Sequence, residues 1–205
     1  MKAAKKTKAV TKTKSAKADL AVKRFRSQAA WEKWLEKHHE SSPGVWLEFA
    51  KKESGLTTVS YKEALEVALC YGWIDGQGKT FDDTYYLQKF TPRRPKSLWS
   101  KRNIEKVAAL TAAGKMQPAG LAEVEAAKRD GRWDAAYDSP KNMVVPDDFM
   151  QALGENEQAL AFFNTLNQAN KYAIAWRLAT AKKPETRQRR FDALLAMLGR
   201  GEKLH

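Results

Sequence analysis

Apolar and polar residues follow two different periods near the start of this 205-residue chain. Trp31, Trp34 and Leu35 recur at helical spacing, and Ser27 precedes them as a candidate N-cap. Residues 45–50 instead alternate with a period of two between glycine-containing segments. The pattern therefore predicts a helix followed by a short strand.

The same two patterns recur before Pro95. Residues 60–72 begin with the capping-box pair Ser60 and Glu63 and end at a glycine, which is typical of a helix. Residues 79–90 are rich in Tyr, Phe and Thr and are followed by Pro92, which predicts one further strand. Between them, the segment "GWIDG" is predicted to be a constrained loop.

Only helical patterns follow Pro95. The last is the clearest, because Phe191, Leu194, Leu195 and Leu198 follow the i, i+3, i+4, i+7 spacing. We expect an α+β fold that is predominantly helical, with a small α+β portion over 22–95 and an all-α portion over 96–205; one compact unit over 22–205 is the alternative. Helices are predicted within 97–115 and 118–131 and at 147–153, 155–166, 168–182 and 184–198.

Positive charge is concentrated at the N-terminus. The formal net charge is +13, and residues 1–17 contain seven lysines and no acidic residue, so six net charges remain for the rest. Such a segment has too little apolar surface to fold, and residues 1–21 are predicted to form a disordered tail. The tail is either a solubilising arm or a nonspecific electrostatic contact for nucleic acid or another anionic surface.

The chain lacks the standard motifs of several protein classes. A single cysteine, Cys70, excludes an intramolecular disulfide, so we expect a cytoplasmic protein. No apolar stretch approaches the roughly 20 residues that span a bilayer, and no membrane insertion is expected. Without nucleotide, hydrolase or zinc-ribbon motifs, we assign no catalytic residue, cofactor or metal and favour a function other than catalysis.

The stretch from Cys70 to Asn103 concentrates tryptophan, arginine, proline and glycine. Prolines on both sides of Arg93 and Arg94 stiffen the arginine pair, and a stiff guanidinium suits a carboxylate or phosphate. The following helix start would also favour an anion. We therefore predict an anion-binding corner formed by Trp73, Asp75, Arg93, Arg94, Ser97, Trp99 and Asn103, with Arg187 as a further candidate.

A purely structural interpretation accounts for the same residues. Asp75 would pair with Arg93 or Arg94, and the two tryptophans would belong to the core. Arg187 lies four residues before Phe191 and would reach inward to a carboxylate. We combine the two interpretations and expect one arginine to pair with Asp75, while the other remains free for a ligand.

Four segments in a fixed order resemble the YdeI/OmpD-associated family, which is also described as bacteriocin-protection proteins. They are "GWIDG" at 72–76, "FTPRRPKSLWSKRN" at 90–103, "GRW" at 131–133 and "AKKPETRQRR" at 181–190. The resemblance runs from about Phe25 to Gly201. It implies a role in resistance to bacteriocins or cationic antimicrobial peptides, without an established reaction or cofactor.

Two classes of function follow from these expectations. The first is a cytoplasmic, non-enzymatic binding or stress-protection protein, with a small anionic ligand or a protein as its partner. The second is an enzyme or sensor that binds a phosphorylated or carboxylated metabolite in the predicted corner. Nucleic-acid binding is a third alternative and depends mainly on the lysines of the tail.

Overall fold

The computed structural model describes residues 19–139 and 142–204, and the predicted tail lies outside them up to residue 18. It confirms the predicted α+β, predominantly helical fold class. The first part alternates helices and strands, and the described residues after it are helical. The first elements are β1 (Val22–Lys23), α1 (Gln28–His38), β2 (Val45–Ala50), α2 (Tyr61–Cys70), β3 (Trp73–Thr80) and β4 (Tyr85–Pro92), with a 3-10 turn at Lys52–Ser54.

The helices that follow agree closely with the apolar spacing. Ser100 accepts a hydrogen bond from the backbone N–H of Asn103 and is therefore the N-cap of the first of them. Pro118 begins the second, and Pro184 begins the last. They are α3 (Lys101–Ala112), α4 (Pro118–Arg129), α5 (Asp147–Gly154), α6 (Glu157–Thr165), α7 (Gln168–Ala179) and α8 (Pro184–Gly199).

The four strands form one sheet in the order β1-β2-β4-β3. β1 runs parallel to β2, and the other neighbours are antiparallel. Val45, Leu47 and Phe49 of β2 are buried, which confirms the strand that the period of two predicted. Ala21, which the prediction placed in the tail, accepts a hydrogen bond from the backbone N–H of Trp46.

The predicted loop at "GWIDG" is wrong, and the strand predicted over 79–90 is confirmed as one continuous strand only from Tyr85 onward. The structure has a hairpin there, in which β3 covers the supposed loop and β4 returns beside it. Asp82 explains the reversal, because its Oδ1 accepts from the backbone N–H groups of Thr84 at 2.8 Å and Tyr85 at 2.7 Å. Asp75 is consequently a strand residue that pairs with Phe90.

The first hydrophobic cluster lies between the sheet and helices α1 to α4. Trp31 and Trp73 are almost fully buried, and each indole N–H donates to a backbone carbonyl, of Ala64 and His39 respectively. α3 and α4 add Val107, Leu110, Val124 and Ala127 to the same cluster. The predicted boundary at residue 95 therefore falls inside this cluster.

A second hydrophobic cluster is formed by helices α5 to α8. Leu194 and Leu198 of α8 are buried in it, and Phe191 packs edge-on against Phe149 at 5.0 Å between ring centroids. Tyr137 contacts Trp176 of α7 at 6.1 Å, also edge-on. Aromatic packing therefore joins the segment after α4 to helix α7.

Helix α4 begins almost in contact with the end of α2. The carbonyl of Cys70 accepts from the backbone N–H of Gln117 at 3.1 Å, and a Cβ built on Gly120 would lie 2.2 Å from that oxygen. Gly72 meets α4 from the other side, since its Cβ would lie 2.9 Å from the carbonyl of Ala119. Two glycines thus permit an approach that a side chain would prevent.

We expect Gly120→Ala to lower the free energy of unfolding by about 2 to 3 kcal/mol, because the added methyl meets backbone atoms that cannot rotate away. Gly154, at the end of α5, has open space around it and is the matched control. Gly154→Ala should stay within about 1 kcal/mol of the wild type. Urea unfolding followed by circular dichroism measures both, and equal effects of the two changes would contradict the close approach.

Candidate functional site

The pleat of the β3–β4 hairpin separates the residues of the predicted corner. Asp75 lies on the side of the sheet that faces the helices, where it reaches Tyr61 of α2. Ile74 pairs with Thr91, and both line a cleft on the opposite side. The predicted corner is therefore two clefts on two faces of one sheet.

The two predicted tryptophans belong to the core. Trp73 is 1% exposed and Trp99 is 2% exposed. Trp99 packs against Trp133 with 5.0 Å between ring centroids. Both side chains therefore pack in the core, as the structural interpretation of the sequence predicted.

The inner cleft, on the helical side of the sheet, has a volume of about 180 Å³. The hydroxyl of Tyr61 donates to Oδ2 of Asp75 at 2.7 Å, which holds the carboxylate in one orientation. Asn103 of the predicted corner also lies here. The residues lining the inner cleft are Tyr61, Leu65, Asp75, Ser100, Arg102, Asn103, Tyr137, Ser139 and Tyr172.

Burial and the carboxylate of Asp75 both raise the pKa values of phenols in the inner cleft. Burial raises the pKa of Tyr61 above its ordinary value, and the hydrogen bond to Asp75 raises it further, while Arg102 has the opposite effect. Burial likewise raises the pKa of Tyr137, again with a contribution from Asp75. Both phenols therefore stay protonated and able to donate hydrogen bonds at neutral pH.

Arg93 is a buried cation behind the two clefts, with 6% of its surface exposed. Its guanidinium stacks on the ring of Trp99 at 3.5 Å, and Nη1 donates to the carbonyl of Leu98 at 3.3 Å and to Oγ of Ser97 at 3.4 Å. Nε and Nη2 are buried and have no hydrogen-bond partner among residues 19–139 and 142–204. Desolvation lowers the pKa of Arg93 to about 10, against the opposing effect of Glu123 and Asp75.

The predicted ion pair between Asp75 and Arg93 or Arg94 does not occur among the ion pairs of the described residues. Asp75 uses Tyr61 instead. Arg187 does reach a carboxylate, since its Nη1 lies 2.7 Å from Oδ2 of Asp148. That pair joins α8 to α5 and lies outside the residues lining either cleft.

The outer cleft lies on the other face of the sheet and has a volume of about 630 Å³. Trp46 of β2 lies on this face, with Nζ of Lys79 at 4.4 Å and Nζ of Lys89 at 6.0 Å from its ring centroid. An adjoining cavity of about 340 Å³ shares Lys89 and Arg94 and extends to Ser97. The residues lining the outer cleft are Asp19, Leu20, Pro43, Trp46, Gln77, Lys89, Thr91, Pro92, Arg93, Arg94 and Pro95.

Within the part of the chain that the structure describes, the cations around the outer cleft have no ion-pair partner. Lys79, Lys89, Arg93 and Arg94 are absent from the salt bridges of the described residues, although eight such bridges occur elsewhere in that part of the chain. The cleft has one acidic lining residue, Asp19. An anion that entered the outer cleft would therefore meet uncompensated positive charge.

Sequence reasoning missed most of the residues that complete each cleft. Arg102 directly precedes the predicted Asn103, and its position in the first helical turn was a usable signal. Tyr137 and Tyr172 come from distant segments, and only the fold brings them to Asp75. Trp46 and Lys89 are cross-strand partners, which would be recognised only with the strand register known.

The described residues contain neither a membrane-spanning helix nor a cluster of metal-binding side chains. Among residues 19–139 and 142–204, no helix is long and apolar enough to cross a membrane. The same residues contain no group of three or more His, Cys, Asp or Glu side chains that could hold a metal ion.

Two different known families match two separate parts of the chain. Residues 23–123 match a family described as "Domain of unknown function (DUF8412)". Residues 142–201 match the family described as "Bacteriocin-protection, YdeI or OmpD-Associated". Residues 142–201, which include helices α5 to α8, therefore resemble the bacteriocin-protection, YdeI or OmpD-associated family, and the match confirms the resemblance over that part of the chain.

The extent of the resemblance is narrower than the motifs suggested. The segments at 72–76 and 90–103 lie within the match to the domain of unknown function, and the segment at 181–190 lies within the bacteriocin-protection match. Most residues of both clefts therefore belong to the first match. No curated protein and no solved structure matches the chain.

A double-mutant cycle tests the Tyr61–Asp75 hydrogen bond. We expect Tyr61→Phe and Asp75→Ala to be coupled by about 1.5 kcal/mol in the free energy of unfolding, because the acceptor is charged. Asp75→Ala with Arg94→Ala should show coupling below about 0.5 kcal/mol. A larger coupling of Asp75 with Arg94 than with Tyr61 would instead support the ion pair that the sequence predicted.

The same bond predicts a pH dependence. Because the pKa of Tyr61 is raised in the folded state, the stability that its neutral phenol confers is present below the unfolded-state pKa of about 10. It is lost as the pH rises through the higher folded-state value. The difference in unfolding free energy between wild type and Tyr61→Phe should therefore stay constant from pH 8 to about pH 10 and begin to narrow between pH 10 and pH 11.

Proposed function

We propose that this chain is a cytoplasmic, non-enzymatic binding protein in protection against bacteriocins or cationic antimicrobial peptides. We further propose that it binds a carboxylate or phosphate group in the outer cleft. The observation that carries the second statement is the group of unpaired cations, Lys79, Lys89 and Arg94, beside Trp46. Protection is supported by the family of the C-terminal helices.

Electrostatic cost favours a ligand over an empty cleft. Cations held near one another without acidic partners repel, and an entering anion relieves that repulsion. Arg93 adds a positive charge that burial separates from the stabilising effect of water. An anion in the outer cleft would therefore be stabilised both by the exposed cations and by the field of the buried arginine.

The chemistry of the lining side chains supports holding a ligand. Arg94 offers a planar set of N–H donors that matches two oxygens of a carboxylate or phosphate. Trp46 offers an apolar face to the remainder of the ligand. A cleft of about 630 Å³ admits an organic anion of metabolite size.

The proposed anion site predicts ligand-dependent thermal stability. Pyrophosphate and citrate should raise the melting temperature of the wild type, because they bind the folded state alone. The double change Lys89→Gln with Arg94→Gln should abolish this shift. Lys33→Gln with Arg129→Gln is the matched control, since both residues are exposed, lie outside the outer cleft and have no salt bridge among the described residues. Equal loss in both double variants would indicate a general effect of charge and would contradict the site.

Protection itself is measured in cells. Expression of the wild type in a bacteriocin-sensitive strain should raise the dose of a cationic antimicrobial peptide needed to halt growth. The variant Lys89→Gln with Arg94→Gln should lose this effect at equal protein level, while the control double variant keeps it. Full protection by the cleft variant would show that protection does not depend on the outer cleft. Absence of protection by the wild type would contradict the cellular role.

A further inference from the structure

The inner cleft brings together two side chains of opposite charge. Asp75 and Arg102 both line it, and both act electrostatically on Tyr61. Neither residue takes part in a salt bridge among the described residues. The inner cleft therefore has a negative and a positive group available at the same time.

The carboxylate is held in place without being neutralised. Tyr61 donates to Oδ2 of Asp75 at 2.7 Å, so the orientation of the carboxylate is fixed by a neutral phenol. That arrangement leaves the negative charge and the second oxygen for another donor. A phenol that keeps its proton at neutral pH cannot replace a cation there.

The positive side of the inner cleft is built at the start of α3. Arg102 is an exposed residue in the first turn of this helix, and Asn103 beside it contributes an amide. The beginning of a helix also carries a partial positive charge. Guanidinium, amide and helix start together suit a carboxylate.

We propose that the inner cleft binds a small zwitterion, namely a free α-amino acid with a small side chain. Asp75 receives the ammonium group, and Arg102 with Asn103 receives the carboxylate. The volume of about 180 Å³ corresponds to about six water molecules, which is close to the number of non-hydrogen atoms in glycine, alanine or serine.

Two aromatic side chains from later in the chain also line the inner cleft. Tyr137 follows α4, and Tyr172 lies on α7, whereas Tyr61 and Asp75 belong to the first part of the chain. Phenol rings also attract an ammonium group through their faces. A bound amino acid would therefore contact segments from both family matches, and its site is separate from the proposed anion site in the outer cleft.

Calorimetric titration of the full chain with alanine, propionate and ethylamine tests the need for both charges. Alanine should bind, and propionate and ethylamine should each bind at least about tenfold more weakly, since each lacks one charged group. Arg102→Gln and Asp75→Asn should each reduce alanine binding by at least about tenfold. Asn can still accept from Tyr61, so Asp75→Asn removes the charge with little disturbance of the cleft.

Control variants of the same chain test whether the effects are specific to the inner cleft. Arg129→Gln and Asp83→Asn change equivalent charges on exposed residues outside the inner cleft and should leave alanine binding unchanged. Lys89→Gln with Arg94→Gln should also bind alanine normally, which separates this site from the outer cleft. Equal binding of propionate and alanine, or the failure of glycine, alanine and serine to bind at millimolar concentration, would overturn the proposal.

Discussion

The register of β3 on β4 is the constraint on which both clefts depend. Asp75 lies opposite Phe90, and Ile74 lies opposite Thr91. Because neighbouring strand residues point to opposite faces, a slip of one residue would exchange the two sets of side chains. Asp75 would then leave Tyr61 and enter the cationic face. The separation of Asp75 from Lys89 and Arg94 is thus a consequence of strand pairing.

The buried Arg93 is the second feature that gives the site region its character. Burial of a cation without a close carboxylate is costly, and the structure offsets it with the face of Trp99 and two long hydrogen bonds. Glu123 and Asp75 act on it from farther away. The carboxylate of Asp75 in the inner cleft therefore acts electrostatically on a cation that also lines the outer cleft.

Local patterns predicted the elements well where one physical signal dominated. The period of two at 45–50 gave β2, and the capping box at Ser60 and Glu63 gave the start of α2. β3 was missed because its glycines, Gly76 and Gly78, are typical of loops, and because the turn at Asp82 was read as part of a strand.

The candidate sites were only partly predictable, for a different reason. Local stiffness around Arg93 and Arg94 indicated unusual arginines, and the structure places them beside a cleft. The partner of Asp75 was wrong because Tyr61 lies 14 residues earlier on another element, and sequence proximity favoured the arginines. Tyr172 could not be connected to Asp75 by any local pattern.

The close approach of α4 to α2 also has a mechanical consequence. Gly72 and Gly120 let the backbones touch at the point where α2 ends and β3 begins. Helix α4 can neither slide nor rotate there without driving main chain into main chain. The joint therefore behaves as a fixed anchor. A displacement of the start of β3 towards α4 would therefore press the main chain of Gly72 against that of Ala119.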